Sequence, residues 1–256
     1  MRTRIYVDGF NLYYGALKGT PFKWLDPVRL SALLLPAACV LDRVLYFTAR
    51  VSGIPDGGTP ARQQVYLNAL GTLPEVDVYF GSFLAKTVWR PLINLPVAGS
   101  QIDTPKPVVL PAGDHTVAVP DTRTLPVGTY SVPGARRQRR QKGSAPLPDA
   151  LVAEFHTQEE KGSDVNLAAH LLNDAWGDRF EAAAVISNDT DLVTPIRMVT
   201  QERGKTVFIV CPGRGRVAQK LDQVASHKRH IRTAMLGKAQ FPDTLPGTVI
   251  SKPKGW

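Results

Sequence analysis

A chain of 256 residues, 43% hydrophobic and 21% charged, has the make-up of a water-soluble globular protein: one large domain, or one domain with an elaboration. Its formal charge of +9 and pI near 9.7 favour a polyanionic partner, which charge alone does not divide between nucleic acid and an acidic membrane surface. No apolar run approaches the roughly 20 residues of a membrane span, and the opening "RTRIYVDG" lacks the apolar core of a signal peptide.

In chain order, "TRIYVD" (3–8) predicts a strand ending at Asp8. "LDPVRLSALLL" (25–35) predicts a helix with Asp26 as N-cap, Pro27 in the first turn and Pro36 as its stop. A second strand lies within 40–51, a second helix over 59–71 ends at Gly71, and "EVDVYFGSFL" (75–84) predicts a third strand. Residues 91–148 break the pattern: they hold ten of the 21 prolines and the run "RRQRRQK", and read as a disordered insertion or a set of short hairpins. The alternation resumes with a strand over 151–157 and a helix over 163–176, where Leu167, His170, Leu171 and Ala175 share one face. A strand over 183–186, a helix over 192–204 closed by Gly204, a strand over 205–212 and a basic helix with a tail from 216 complete the reading. Strands alternating with helices predict an α/β fold: a parallel sheet with helices on both faces. Cys39 and Cys211 stand far apart with no C-x-x-C partner, which suits a reduced cytoplasm.

Three carboxylate motifs fall where such a sheet places its ligands, at the carboxyl ends of strands. Asp8 ends the first strand in "YVDGFN", Asp164 opens the helix after 151–157 in "EEKGSDVN", and Asp189 and Asp191 follow the strand in "AVISNDTDLV". Each alone has a plain reading: Asp8 as a turn residue before Gly9, Asp164 as an N-cap, Asp189 or Asp191 as the cap of the next helix. One cap needs one residue, however, and "SNDTD" supplies two carboxylates beside Ser187 and Asn188. Four carboxylates in one cleft repel unless protons or cations neutralise them, and oxygen ligands without histidine or cysteine favour Mg²⁺ or Mn²⁺. On a basic chain this constellation points to phosphodiester chemistry.

"YVDGFNLYYG" (6–15), "EEKGSDVNLAAHLLNDA" (159–175) and "VISNDTDLVTPIR" (185–197) together resemble the NYN domain of the LabA-like group, within the PIN-like nuclease superfamily. The resemblance covers most of 1–90 and 150–235 as one domain, leaving 91–149 as a proline-rich basic insertion and 236–256 as a C-terminal tail. It implies a PIN-like (Rossmannoid) sheet and a Mg²⁺- or Mn²⁺-dependent endoribonuclease, with water attacking an RNA phosphate to leave a 5′-phosphate and a 3′-hydroxyl. By the same resemblance Asp8, Asp164, Asp189 and Asp191 are the catalytic metal ligands, and Asn11 and Ser187, with Asn188, are supporting polar positions. The chain departs from the family at His170, where many relatives carry another aspartate and where a packed helix histidine is the simpler reading.

For the substrate, Lys161 stands beside the third motif, and Lys86, Trp89 and Arg90 lie just past the third strand, a cation–aromatic mixture suited to single-stranded RNA. Arg136, Arg137, Arg139, Arg140 and Lys142 would add salt-sensitive affinity, and Arg214, Arg216, Lys220, Lys228, Arg229 and Arg232 form a second basic zone against Asp222. The plain readings are a solvated lysine for Lys161, core packing for Trp89, a mobile segment for the 136–142 run and a solvated helix face for the second zone. Two rivals stay open: a non-catalytic RNA-binding or regulatory module, and a Mg²⁺-dependent phosphatase of the haloacid-dehalogenase type. Phe10 weakens the latter, since it stands where that family's second aspartate would be. The oligomeric state is open, with a homodimer as one option.

Overall fold

The computed structural model describes residues 1–51, 57–91, 128–130, 150–213 and 215–256; over 84–159 it describes backbone strands only. The chain divides into two compact units, Met1–Phe83 with Glu160–Trp256, and Leu84–Glu159.

The first unit is built on β1 (Arg2–Asp8), β2 (Val40–Thr48), β3 (Val76–Phe80), β7 (Ala182–Ile186), β8 (Thr206–Cys211) and β9 (His227–His230). They form one six-stranded sheet in the order β3-β2-β1-β7-β8-β9, and every pairing is parallel. Apolar runs rather than alternating polarity are what a parallel sheet covered on both faces demands, and β7 is buried at all five positions. The period of two then sorts its residues: Ile5, Val7, Ala182, Ala184, Ile186, Phe208 and Val210 pack into one core, while Tyr6, Ala183, Val185, Val207 and Ile209 pack into the other.

The first core is closed by α1 (Gly9–Leu12) and the π turn that continues it to Leu17, by α2 (Pro27–Leu34), α3 (Thr59–Leu70) and α7 (Thr233–Lys238). Asp26 caps α2 as expected, accepting from the Val28 and Arg29 amides at 2.9 and 3.1 Å. The second core is closed by α4 (Ser163–Trp176), α5 (Val193–Arg197) and α6 (Gln219–Val224). Leu167, Leu171 and Ala175 of α4 are buried there, on the face the spacing predicted. At the end of α4, buried Asp174 takes hydrogen bonds from Tyr6 Oη (2.7 Å), Arg4 (3.0 Å) and Arg179 (3.0 Å), an ionic knot joining helix to sheet.

Four expectations change. The predicted 75–84 strand is two strands: β3 stops at Phe80, and β4 (Ser82–Pro91) leaves it to form a separate three-stranded sheet, ordered β4-β6-β5, with β5 (Gly128–Tyr130) and β6 (Ala150–Lys161). Gly81 permits the break, because a Cβ there would lie 2.6 Å from the Lys161 carbonyl oxygen. The 192–204 helix is segmented into a 3₁₀ turn over Thr190–Leu192, α5, and a π turn over Met198–Glu202. The basic helix from 216 is only α6; after it His227–His230 turns extended and pairs with β8 as an edge strand. Of α6 only Leu221 is buried, too little apolar face to carry a longer helix, and the exposed Lys and Arg of β9 suit an unpaired edge. Finally, 236–256 is not loose. Leu236, Ala239, Phe241 and Leu245 are buried, Trp24 donates its indole N–H to the Pro242 carbonyl at 2.8 Å, and the Trp256 ring stands 6.0 Å from Tyr66.

Candidate functional site

Strand order reverses between β1 and β7: the chain leaves β1 toward β2 on one side and returns on the other as β7. A crevice opens at such a switch point, outside the carboxyl ends of the two strands. Asp8 is the last residue of β1, and Ser187, Asn188 and Asp189 follow β7 directly. Both segments therefore deliver polar side chains to one place for a topological reason.

A hydrogen-bonded lattice holds them. Asp8 caps α1, its Oδ1 accepting from the Asn11 amide at 2.9 Å, and its Oδ2 accepts from the Ser187 hydroxyl at 3.0 Å. The Asp189 amide donates to Ser187 Oγ (3.1 Å) and the Asn188 amide to Asn11 Oδ1 (3.1 Å), tying α1 to the β7 loop. Asn188 also grips the loop after β8, donating to the Arg216 carbonyl at 3.2 Å and accepting from the Ala218 amide at 2.8 Å. Asp189 Oδ1 accepts from the Asp191 amide at 2.9 Å and so caps the 3₁₀ turn. Gly9 is required beside Asp8: a Cβ there would lie 2.8 Å from the Phe47 carbonyl oxygen.

Asp164 is not the cap of α4. Gly162 occupies that position with φ of 93°, Glu160 accepts from the Ser163 amide at 2.9 Å, and Asp164 sits in the first turn. A helix N-terminus favours a carboxylate by about 0.3–1 kcal/mol. Burial outweighs it and pushes Asp164 up to about 6, with the charges of Asp189, Glu160 and Asp191 adding to the rise. Burial likewise pushes Asp8 up to about 7; the Asn11 and Ser187 hydrogen bonds oppose the rise, and the charges of Asp164 and Asp189 reinforce it. The four predicted aspartates thus share one electrostatic neighbourhood. Asp8 is nearly fully buried, Asp164 and Asp189 are half-buried and Asp191 is exposed.

Glu160 belongs to this neighbourhood, and next to Asp164 stands Ser163, whose buried hydroxyl has no hydrogen-bond partner among the described residues. Both escaped the sequence reading although they stand in "EEKGSD"; a carboxylate four residues before Asp164, across a glycine, was the available signal. His170 lies elsewhere in character, its ring 4.1 Å from Tyr79 and 5.6 Å from Phe47, as a packed helix histidine. Lys161 is exposed beside Gly162. The side chains of Lys86, Trp89 and Arg90, and the basic run from Arg136 to Lys142, lie outside the described residues, as does Arg214.

The donor set is all hard oxygen, the chemistry of a Mg²⁺ or Mn²⁺ site, and its mutual repulsion is the kind a cation relieves. Among the described residues no three acidic, histidine or cysteine side chains are closed into a ligand group. Among those residues, too, no helix is long and apolar enough to cross a membrane.

No family model matches the chain. A crystal structure of a protein of unknown function from Vibrio parahaemolyticus aligns over 94% of this chain and 96% of its own, with a TM-score of 0.48 and 15% identity. A curated relative, 6-hydroxy-3-succinoylpyridine 3-monooxygenase HspA from Pseudomonas putida, is 30% identical over 270 aligned positions that take in all of this chain and 75% of the relative. Identity at that level over that span places the chain in one family with this Pseudomonas putida protein.

Proposed function

We propose that the carboxylate cluster is a Mg²⁺- or Mn²⁺-dependent centre that hydrolyses phosphodiester bonds of RNA, as an endoribonuclease of the NYN type. The observation that carries this reading is the electrostatic coupling of the aspartates at the strand and helix ends: the charges of Asp164 and Asp189 reinforce the rise of Asp8, and those of Asp189 and Asp191 the rise of Asp164. Asp8, Asp164 and Asp189 would hold the cation, with Asp191 at the rim; when bound it supplies charge neutralisation and polarises a phosphate oxygen. Asn11 and Ser187 keep the Asp8 carboxylate fixed through the cycle, since both of its oxygens are already engaged. Asp164, half-buried in the first turn of α4, would also orient the attacking water.

The test is cleavage of a pool of single-stranded RNAs with Mn²⁺. Asp189→Asn is expected to abolish cleavage while leaving the thermal transition in place; cleavage at the wild-type rate by that variant would sink the assignment.

The name of the Pseudomonas putida relative favours a second reading, insertion of one oxygen atom from O₂ into a hydroxylated pyridine. Such a reaction needs two electrons from a donor, so its assay supplies 6-hydroxy-3-succinoylpyridine, O₂ and a reduced nicotinamide. Substrate-dependent oxygen uptake with hydroxylated product, and no RNA cleavage under Mn²⁺, would favour it over hydrolysis.

A further inference from the structure

An acidic centre faces a difficulty with a polyanionic substrate: the carboxylates that attract a cation repel the rest of the strand. Cations and stacking surfaces must therefore stand close by. Around the same edge of the sheet, past the ends of β2 and β3, Arg50 and Phe80 meet that need. Phe80 is the last residue of β3 and pairs with Thr48, while Asp8 pairs with Phe47. Strand β2 alone separates them, so about 10 Å lies between Phe80 and Asp8 along the edge.

Phe80 is 42% exposed although it is a large apolar side chain, and the Arg50 guanidinium lies over its ring at 4.9 Å from the centroid. A single exposed phenylalanine is unremarkable in itself. What distinguishes this one is that both partners are held. Asn166, two residues past Asp164 on α4, donates its side-chain amide to the Phe80 carbonyl at 3.3 Å, and the Gly81 amide donates to the Thr48 carbonyl at 2.7 Å. On the other side, Arg50 donates to the Gln64 side chain, and Gln63 bridges the Ala49 carbonyl and the Val51 amide at 2.9 Å each. Helix α3 thereby fixes the loop that carries Arg50. A flat cation and a flat ring, pre-positioned from two elements beside a phosphodiester centre, are the parts of a base-stacking platform.

We propose that Arg50 and Phe80 form a subsite for a base of single-stranded RNA, seated beside the strand position held at the carboxylates. The subsite rests on the RNA reading above and adds to it where the strand runs: from the switch-point crevice across β2 toward β3. The base stacks on the Arg50–Phe80 pair, and the guanidinium offsets the adjoining phosphate charge. Stacking of this kind is indifferent to base identity, so the subsite confers affinity without sequence preference.

The experiment measures binding of a fluorescein-labelled single-stranded RNA of about ten nucleotides by anisotropy in EDTA, together with Mn²⁺-dependent cleavage kinetics. Phe80→Ala and Arg50→Ala are each expected to weaken binding roughly tenfold, Phe80→Trp to restore it, and Arg50→Ala to lower the salt slope by about one. In cleavage, Phe80→Ala should raise KM more than it lowers kcat. Phe80→Ala and Arg50→Ala binding as tightly as wild type, while wild type cleaves and Asp189→Asn does not, would overturn the subsite and leave the hydrolytic reading standing. Phe80-dependent binding by a wild type that cleaves with no metal would do the reverse. Absence of RNA binding by wild type would remove the subsite outright.

Discussion

Replacing Asp8 with asparagine should stabilise the metal-free protein at neutral and alkaline pH, although it removes a residue at the heart of the site. Asp8 is raised from an ordinary 3.8 to about 7, mainly by burial. An acid whose folded pKa lies above its unfolded value holds its proton more tightly when folded. Its contribution to stability is therefore complete below about pH 4 and is lost as pH rises toward and past 7. Three pKa units at about 1.4 kcal/mol each set a ceiling of about 4 kcal/mol for the strain of ionising Asp8 in place. Relaxation and water entry bring the realised value to about 2 kcal/mol. Asparagine keeps the cap, since its side-chain oxygen still accepts from the Asn11 amide, and its NH₂ can donate to Ser187 Oγ. At about 2–4 °C per kcal/mol for a chain of this size, Asp8→Asn should melt about 4–8 °C above wild type at pH 8 without divalent ions. The gap should shrink to little near pH 4. Thermal unfolding from pH 4 to 8, with and without Mn²⁺, checks this, and Mn²⁺ should raise wild type while leaving the variant nearly unchanged. A variant that melts below wild type at pH 8, or a gap that ignores pH, would refute the account of Asp8 as a buried, repelled carboxyl.

Divalent binding should release protons. At pH 6 Asp8 is mostly protonated and Asp164 about half, so calorimetry in buffers of different ionisation enthalpy should show about one and a half protons displaced per site, falling toward zero above pH 8. Gly9→Ala forces a Cβ against the Phe47 carbonyl and should cost about 1–3 kcal/mol by denaturant unfolding, with a larger fractional loss of activity than of folded protein because Asp8 moves with it. Asp174→Ala leaves the buried Tyr6 hydroxyl and Arg4 without their shared acceptor and should destabilise by about 3–5 kcal/mol in the same assay. Metal affinity of any Asp174→Ala protein that remains folded should be unchanged.

The fold was legible where one signal dominated. Asp26-Pro27 wrote the start of α2, and the unbroken "AAAVI" announced a strand buried on both faces, because local chemistry and burial agreed there. It was illegible where tertiary contacts decided. "HKRH" carries no apolar alternation, and it is a strand only because β8 offers an unpaired edge beside it. Gly81 looked like an interior strand residue, since nothing local reveals the Lys161 carbonyl that a side chain would strike. The site divides the same way. Asp189 and Asp191 drew notice by standing two residues apart after an apolar run, and Asp8 and Asp164 by their places at the end of a strand and the start of a helix. Glu160 did not, because its first visible job is to cap α4, and Arg50 with Phe80 could not, because thirty residues and a helix separate the pair in sequence.

Capping and the proposed metal binding are compatible explanations for the same aspartates. Asp8 spends one lone pair of Oδ1 on the Asn11 amide and one of Oδ2 on Ser187, and Asp189 spends one of Oδ1 on the Asp191 amide. A carboxylate has about four acceptor positions, so each keeps at least half of its capacity for a cation. The capping bonds do more than coexist with that role. They fix each carboxylate's rotamer through the backbone of the turn that follows its strand, so on the proposed reading the ligand atoms would be set by the fold rather than by the ion. Capping also accounts for the persistence of the arrangement despite the burial, reinforced by neighbouring charge, that raises Asp8 to about 7: the loops need these side chains for their own amides. The same bonds that make the metal-free site tolerable leave it electrostatically strained, and on the proposed reading that strain would be the part of a cation's affinity that the protein supplies in advance.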